Sequence, residues 1–156
     1  GYRMATAAMK ALSALRSEDE EIVAIVESDS CGADAVQYVT GCTFGKGNLV
    51  FRDYGKLVYT LYSRSTHQGV RVAFNRNAVP EGLREDKNAF IRWMLEAPAE
   101  KILRLQEVTV DEPETAKIHN SLPCAVCGEF VMETRLMHIE GKSMCIPCAQ
   151  RHGHGR

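Results

Sequence analysis

The sequence lacks the features that would place it in a membrane or on a nucleic acid. No apolar run approaches the roughly 18 residues that a helix needs to cross a bilayer, so we predict no membrane association. The formal net charge is only −1, with 19 lysines and arginines against 20 aspartates and glutamates. Such a balanced chain carries no field that would recruit nucleic acid, which argues against a nucleic-acid-binding function.

A secretory leader, internal repeats and low-complexity tracts are also missing from the sequence shown. Six cysteines without a leader indicate a reducing compartment, and we therefore expect a cytoplasmic protein. The 156 residues suit one ordinary domain, or one domain with a small appendage.

Four cysteines near the end of the chain carry the strongest signal. Cys124, Cys127, Cys145 and Cys148 form two Cys-x-x-Cys pairs separated by 17 residues. Each pair lets one tight turn present two sulfurs, and two such turns supply the four soft donors that tetrahedral zinc prefers. Disulfides would need an oxidising compartment, and a redox dithiol normally comes singly in a βαβ context. We predict one closed, structural zinc site, with iron as the less suitable metal.

The residues around this quartet predict a treble clef. After the first pair, residues 130–138 and 142–144 can form a hairpin that turns at Glu140-Gly141, and a helix can run from the second pair to about Arg151. So short a segment cannot bury enough apolar surface to fold alone, and the metal would take the place of a core.

A polar stretch bracketed by prolines precedes the treble clef and is the best candidate linker. The sequence therefore predicts three parts: a core at 1–112, a linker at 113–122 and a treble-clef zinc finger at 123–156.

The rest of the chain predicts an α+β core in which helices pack on an antiparallel or mixed sheet. Helical spacing of apolar residues or capping signals predict helices at 2–16, 33–40 and 86–96. Short β-branched or alternating runs predict strands at 22–26, 49–53, 56–62, 69–74 and 105–110. The strands at 49–53, 56–62 and 69–74 are expected to form a meander.

Two further cysteines flank the predicted helix at 33–40. Cys31 precedes this helix, and Cys42 follows it in a glycine-rich loop that also holds Lys46. A neighbouring lysine lowers the pKa of a thiol and favours the reactive thiolate, so Cys31, Cys42 and Lys46 are candidate catalytic residues of a cleft. The alternative is that both cysteines are small hydrophobic residues of the core. The residues alone leave both interpretations open.

The segments 29–37, 40–48 and 51–56 resemble the FmdE family, named for a protein of tungsten or molybdenum formylmethanofuran dehydrogenase operons. The unit that holds the cysteine quartet is similar to the zinc finger that many members carry. The resemblance extends over nearly the whole chain.

This resemblance implies an α+β core with an auxiliary treble-clef finger, and a homodimer. It also implies a molybdenum or tungsten enzyme as a partner, in the formylmethanofuran metabolism of methanogenesis. Family members carry a His-Gly-His-x-Cys-Pro-Gly segment just ahead of the Gly-Tyr-Arg that opens this chain. The resemblance places that segment near Cys31 and Cys42, so a second metal is expected in the core wherever the segment is present.

Two functions follow as hypotheses. The first is an accessory or enzymatic role with a ligand or second-metal cleft around Cys31, Cys42 and Lys46. The second is a non-catalytic module that docks a partner or dimerises through its zinc finger. Enzymatic activity stays open between them.

Overall fold

The computed structural model describes residues 1–153 and divides into two compact units, Gly1–Ala116 and Lys117–Arg156. The last residues of the predicted zinc finger, 154–156, lie outside the described residues. No helix in the described part of the chain is long and apolar enough to cross a bilayer.

Helices and strands of the first unit form a mixed α+β fold, which confirms the predicted fold class. Its helices are α1 (Tyr2–Ala11), α2 (Gly32–Thr40), α3 (Lys87–Glu96) and α4 (Ala99–Ile102). Its strands are β1 (Ile22–Val26), β2 (Leu49–Phe51), β3 (Val58–Ser63), β4 (Gln68–Phe74) and β5 (Leu103–Val108). They form one sheet in the order β2-β1-β3-β4-β5, in which only β1 and β2 are parallel.

The predicted meander is wrong in its topology, because β2 does not pair with β3. Strand β2 lies parallel to β1 at the edge of the sheet, with Ile25 opposite Val50. The chain then crosses the end of β1, where the backbone amide of Arg52 donates to the Val26 carbonyl and the backbone amide of Lys56 donates to the Glu27 carbonyl. This crossing brings β3 to the other side of β1, which places a buried strand between two strands that are adjacent in sequence.

The main core lies between the sheet and helices α1 and α2. Met4, Ala5 and Ala8 of α1 are buried against residues of β1, β3 and β4 such as Tyr59 and Leu61. At roughly 25 cal/mol per Å² of apolar surface, burial of this kind is the main stabilising contribution. The predicted helix at 2–16 is too long, because α1 ends at Ala11. Leu15, which the apolar spacing placed on the buried face, is 88% exposed.

Gly41 and Asp86 set the ends of two helices. Gly41 closes α2 in the left-handed conformation, with φ of 77°, and its amide donates to the Gln37 carbonyl at 2.9 Å. Asp86 caps α3 by accepting from the amides of Asn88 and Ala89 at 2.9 and 3.0 Å.

Arg64 holds the segment that leaves β5 against the first unit. Its guanidinium donates to Glu112 Oε1 at 2.9 Å and to the Pro113 carbonyl at 2.8 Å. Tyr62 Oη donates to the other carboxylate oxygen of Glu112 at 3.1 Å. The start of the predicted linker is therefore fixed by charge-assisted hydrogen bonds.

The second unit contains two small two-stranded sheets and a helix. Strands β6 (Ser121–Pro123) and β7 (Phe130–Met132) pair antiparallel, as do β8 (Leu136–Ile139) and β9 (Lys142–Cys145), and α5 (Ile146–Gly153) follows. The hairpin turn at Glu140-Gly141 is confirmed by positive φ angles at both residues. The predicted first arm of that hairpin is wrong in part, because residues 130–132 pair with the segment before the first cysteine turn.

Candidate metal centre and core thiols

The four C-terminal thiols converge on one point. The Sγ atoms of Cys124, Cys127, Cys145 and Cys148 all lie within 4.8 Å of one another, and those of Cys127 and Cys145 are 3.9 Å apart. A regular tetrahedron with zinc–sulfur bonds of about 2.3 Å has sulfur–sulfur edges of about 3.8 Å. The thiol arrangement therefore has the dimensions of a four-sulfur zinc site.

Backbone geometry aims the first cysteine pair at this point. Gly128 has φ of 75°, and its amide donates to the Cys124 carbonyl at 2.9 Å, which closes the tight turn between the two cysteines. Cys145 ends β9, and Cys148 lies in the first turn of α5. Each pair thus comes from a rigid turn or element end and not from a flexible loop.

The site favours the thiolate of Cys124. Backbone amides of Cys127, Cys145 and Val126 surround its sulfur and lower the pKa of Cys124 to about 6. The Glu129 amide acts in the same direction on Cys127, but burial and the neighbouring thiols outweigh it and raise the pKa of Cys127 to about 12. Four thiols so close together cannot all ionise without a cation, and a divalent metal supplies the charge that they need.

One contact around the quartet was not predicted from the sequence. The guanidinium of Arg151 donates to Cys148 Sγ at 3.3 Å from the next turn of α5. The three-residue spacing of Cys148 and Arg151 on a helix is the signal that could have shown it. Such outer hydrogen bonds orient a ligand and stabilise its charge.

The structure does not bring the candidate core residues Cys31 and Cys42 together. Cys31 lies at the start of α2 and Cys42 just after its end, and nine helical residues span about 13 Å. Cys31 is exposed, whereas Cys42 is fully buried and donates its thiol to the Ile22 carbonyl at 3.2 Å. Burial raises the pKa of Cys42, and this effect outweighs the nearby charge of Lys46.

Lys46 is engaged with the backbone. Its Nζ donates to the carbonyls of Ser17 at 3.2 Å and Glu18 at 3.1 Å. Asn48 in the same loop is completely buried and donates to the Asp19 and Ile22 carbonyls. The glycine-rich loop is therefore attached to the segment that leads into β1.

A buried hydroxyl beside Cys31 is another feature that sequence reasoning missed. Tyr59 is completely buried, and its Oη makes no hydrogen bond of acceptable geometry among the residues that the structure describes. Burial raises the pKa of Tyr59, and the nearby Ser30 side chain opposes this only in part. A Cβ atom at Gly32 would overlap this oxygen. Gly32 thus makes room for the Tyr59 hydroxyl next to the exposed Cys31 thiol. The alternating pattern of residues predicted the strand β3. It gave no information about the hydrogen bonding of the Tyr59 hydroxyl.

Comparison with known protein families shows which family the chain belongs to. Residues 1–109 match the family model described as FmdE, Molybdenum formylmethanofuran dehydrogenase operon. The chain belongs to the FmdE family. Residues 118–154 match a second model, the prokaryotic dksA/traR C4-type zinc finger, and this match contains the whole cysteine quartet.

Two relatives of this FmdE-family chain extend the comparison. A probable S-adenosyl-L-methionine-binding protein of Archaeoglobus fulgidus is 33% identical over 96% of this chain, which spans 47% of that relative. The crystal structure of a tungsten formylmethanofuran dehydrogenase FmdE-like protein from Syntrophus aciditrophicus is similar with a TM-score of 0.65 and 26% identity. That similarity extends over 99% of this chain and 82% of the Syntrophus chain.

The described core of the FmdE-family chain does not assemble a second metal site by itself. Within residues 1–153, the cysteine quartet is the only group of three or more histidine, cysteine, aspartate or glutamate ligands that could hold an ion. The predicted second metal would need ligands beyond those residues.

Proposed function

We propose that this FmdE-family chain is a zinc-binding accessory protein of a molybdenum or tungsten enzyme in formylmethanofuran metabolism. The observation that carries the proposal is the pairing of an FmdE match over 1–109 with four convergent thiols in a C4-finger match. The accessory role, the metabolic setting of methanogenesis and a cytoplasmic location are parts of this proposal. Four cysteines placed as a metal-binding group and not as disulfide pairs support the cytoplasmic location.

The zinc proposed for the second unit is structural. All four donors would come from the chain, so no position is open for water or substrate. The unit has a small apolar cluster around Met144 and Ala149, while Phe130 is 75% exposed. When bound, zinc would neutralise the four thiolates and supply the cross-links that this small cluster cannot replace.

In the core, we propose Cys31 as the reactive member of the predicted cleft. Its thiol is exposed, whereas Cys42 is buried and bonded to a carbonyl, and Lys46 is bonded to two. Cys42 and Lys46 would then support the loop, and only Cys31 would meet a ligand.

The proposed second metal depends on a His- and Cys-containing segment joined ahead of Gly1. A Cβ built on Gly1 would lie 2.7 Å from Gly32 and 2.9 Å from Ala35, so the first residue packs against the start of α2. A preceding segment would therefore begin beside Cys31. Metal analysis of protein with and without this segment tests the idea, because two ions are expected in the longer form and one in the shorter.

The alternative function is a module that docks a partner or forms a homodimer through its finger. Sedimentation of the intact protein and of its Cys124→Ser variant separates the two functions. Dimers that dissociate only in the variant would favour the docking module. Monomers, or dimers that persist in the variant, would oppose it.

Co-purification tests the accessory role directly. Tagged protein should recover a molybdenum or tungsten formylmethanofuran dehydrogenase from a cell that contains both. Recovery that survives Cys31→Ser but not Cys124→Ser would assign the contact to the finger. No enrichment over an untagged control would refute the accessory role.

The name of the Archaeoglobus relative adds one ligand to test. S-adenosyl-L-methionine binding is proposed for this chain because the identity of 33% extends over 96% of it. Since the chain spans about half of that relative, the binding site of the relative need not lie in the shared half. Equilibrium dialysis with labelled S-adenosyl-L-methionine tests it, and retention no greater than for an unrelated protein would refute it.

A further inference from the structure

A cavity in the first unit has a lining that does not include the thiols discussed above. It measures about 510 Å³ and lies at the end of the sheet where β1 and β4 finish. Ser28 and Ser30, just after β1, line it with hydroxyls that are 3.1 Å apart. Neither the core thiols, Lys46 nor the zinc quartet contributes to its wall. Its size is that of small-molecule sites, which commonly enclose about 300–1,000 Å³.

Two arginines of this cavity have unused donors. In the described part of the chain, no side-chain hydrogen bond or ion pair involves the guanidinium of Arg76 or Arg84, although both line the cavity. Arg71 and Arg64 of the same unit, by contrast, are paired, with Glu27 at 3.5 Å and with Glu112 at 2.9 Å.

Acidic residues near the two arginines do not neutralise them by direct contact. Glu81 and Glu85 line an adjoining cavity that shares Arg76 and Arg84. No ion pair within 4.0 Å joins these carboxylates to either guanidinium among the residues described. The guanidinium donors therefore remain available to an anion, which planar guanidinium groups bind through paired hydrogen bonds.

The rest of the wall is apolar and aromatic. Phe74, at the end of β4, and Phe90, on α3, both line the cavity and are half-buried. Aromatic faces bind flat rings by offset stacking. Cationic donors, hydroxyls and aromatic rings thus meet in one cavity.

We propose that this cavity binds an anionic ring compound about the size of a mononucleotide. Its phosphate or carboxylate would lie between Arg76 and Arg84, within reach of the Ser28 and Ser30 hydroxyls. Its ring would pack on the aromatic part of the wall. This inference does not rest on the proposed zinc or on Cys31. The cavity proposal and the proposed function can therefore be refuted independently.

Titration calorimetry with adenosine monophosphate tests the proposal, and 2-naphthoate tests a carboxylate in place of the phosphate. Binding of at least one probe is expected with a Kd below about 1 mM. Adenosine and naphthalene methanol, which lack the anionic group, should bind at least about tenfold more weakly because they lose the arginine contacts. Inorganic phosphate should also bind at least about tenfold more weakly, because it lacks the ring that packs on the aromatic wall.

Variants show whether this cavity is the site. Arg76→Gln and Arg84→Gln should each weaken binding by about tenfold, as expected for a lost charge-assisted bond. Arg92→Gln, an exposed arginine on α3 outside the cavity, should leave binding unchanged. Unchanged circular dichroism and metal content would show that each variant is folded.

Failure of both anions to bind would overturn the proposal. So would an anion that binds Arg76→Gln and Arg84→Gln as tightly as the parent protein, or one that loses affinity equally in Arg92→Gln. Raising the salt concentration should weaken binding of the charged probes, because exposed guanidinium contacts are screened.

Discussion

The backbone amide of Cys145 donates a hydrogen bond to Cys124 Sγ at 3.3 Å. This bond joins the two cysteine pairs across 20 intervening residues and holds the end of β9 against the first turn. It also stabilises the negative charge of the Cys124 sulfur, which a metal requires of its ligand. The chain therefore contributes to the shape of the quartet in addition to supplying its sulfurs.

Cys124→Ser should abolish the fold of the second unit and spare the first. Structural zinc contributes on the order of 10 kcal/mol to small finger folds, more than this unit can replace. Limited proteolysis with mass spectrometry should then show cleavage within 117–153 and a protected fragment that ends near Ala116.

Cys31→Ser is the matched control for that experiment, since it replaces an exposed cysteine of the first unit. It should keep the zinc content and the protease resistance of the parent protein. A second unit that stays folded in Cys124→Ser would show that the metal does not stabilise its fold.

The two core cysteines should differ in reactivity. Iodoacetamide should modify Cys31 in the native, reduced protein, because its thiol is exposed. Cys42 should react only after unfolding, because it is fully buried, its thiol is bonded to the Ile22 carbonyl and its pKa is raised by burial. Peptide mapping at several denaturant concentrations measures both. Equal labelling of the two in native protein would contradict the structure.

Tyr59→Phe should stabilise the protein or leave it unchanged. The lost hydroxyl makes no hydrogen bond of acceptable geometry among the described residues, although the Ser30 side chain is near it. A buried unpaired polar group costs about 1–3 kcal/mol. Gly32→Ala should destabilise the parent protein, since the added methyl group overlaps the Tyr59 Oη.

The two changes should also be coupled. Gly32→Ala should cost less in the Tyr59→Phe background, because the oxygen that it meets is gone. Urea unfolding of the four proteins of this cycle measures the coupling free energy. A clear loss of stability in Tyr59→Phe alone would show that the hydroxyl has a partner after all.

Stability should decrease in acid through Glu112. Arg64 and Tyr62 hold the pKa of this carboxyl below its usual value of 4.5. Because the folded pKa is depressed, the contribution of Glu112 is complete above pH 4.5 and is lost as pH falls through the folded value. Nuclear magnetic resonance titration of Glu112 measures its pKa, and Arg64→Met should bring that pKa back toward the usual value. A pKa at or above 4.5 in the parent protein would contradict the contact.

Most helices and strands were predicted from local signals, because helix ends and strand alternation depend on residues that are close in sequence. Gly41 and Asp86 fixed helix ends through contacts only two to four residues away. The partner of β2 could not be predicted this way. Its placement depends on the crossing of the chain over the end of β1, which involves residues about 25 positions apart.

Site residues could be predicted from the sequence only where their spacing matched a known motif. Two cysteine pairs carry their geometry in the sequence, and the structure places all four sulfurs together. Cys31, Cys42 and Lys46 were grouped because they are close in sequence, yet α2 separates the two thiols. Arg76 and Arg84 belong to no recognisable sequence motif, and only the folded chain brings them to the same cavity as Ser28.

X-ray absorption at the zinc edge tests the central claim most directly. Reduced, purified protein should contain one zinc ion per chain, with four sulfur neighbours at about 2.3 Å and none of nitrogen or oxygen. Protein with an ordered second unit but no bound metal, or zinc with fewer than four sulfur neighbours, would contradict it.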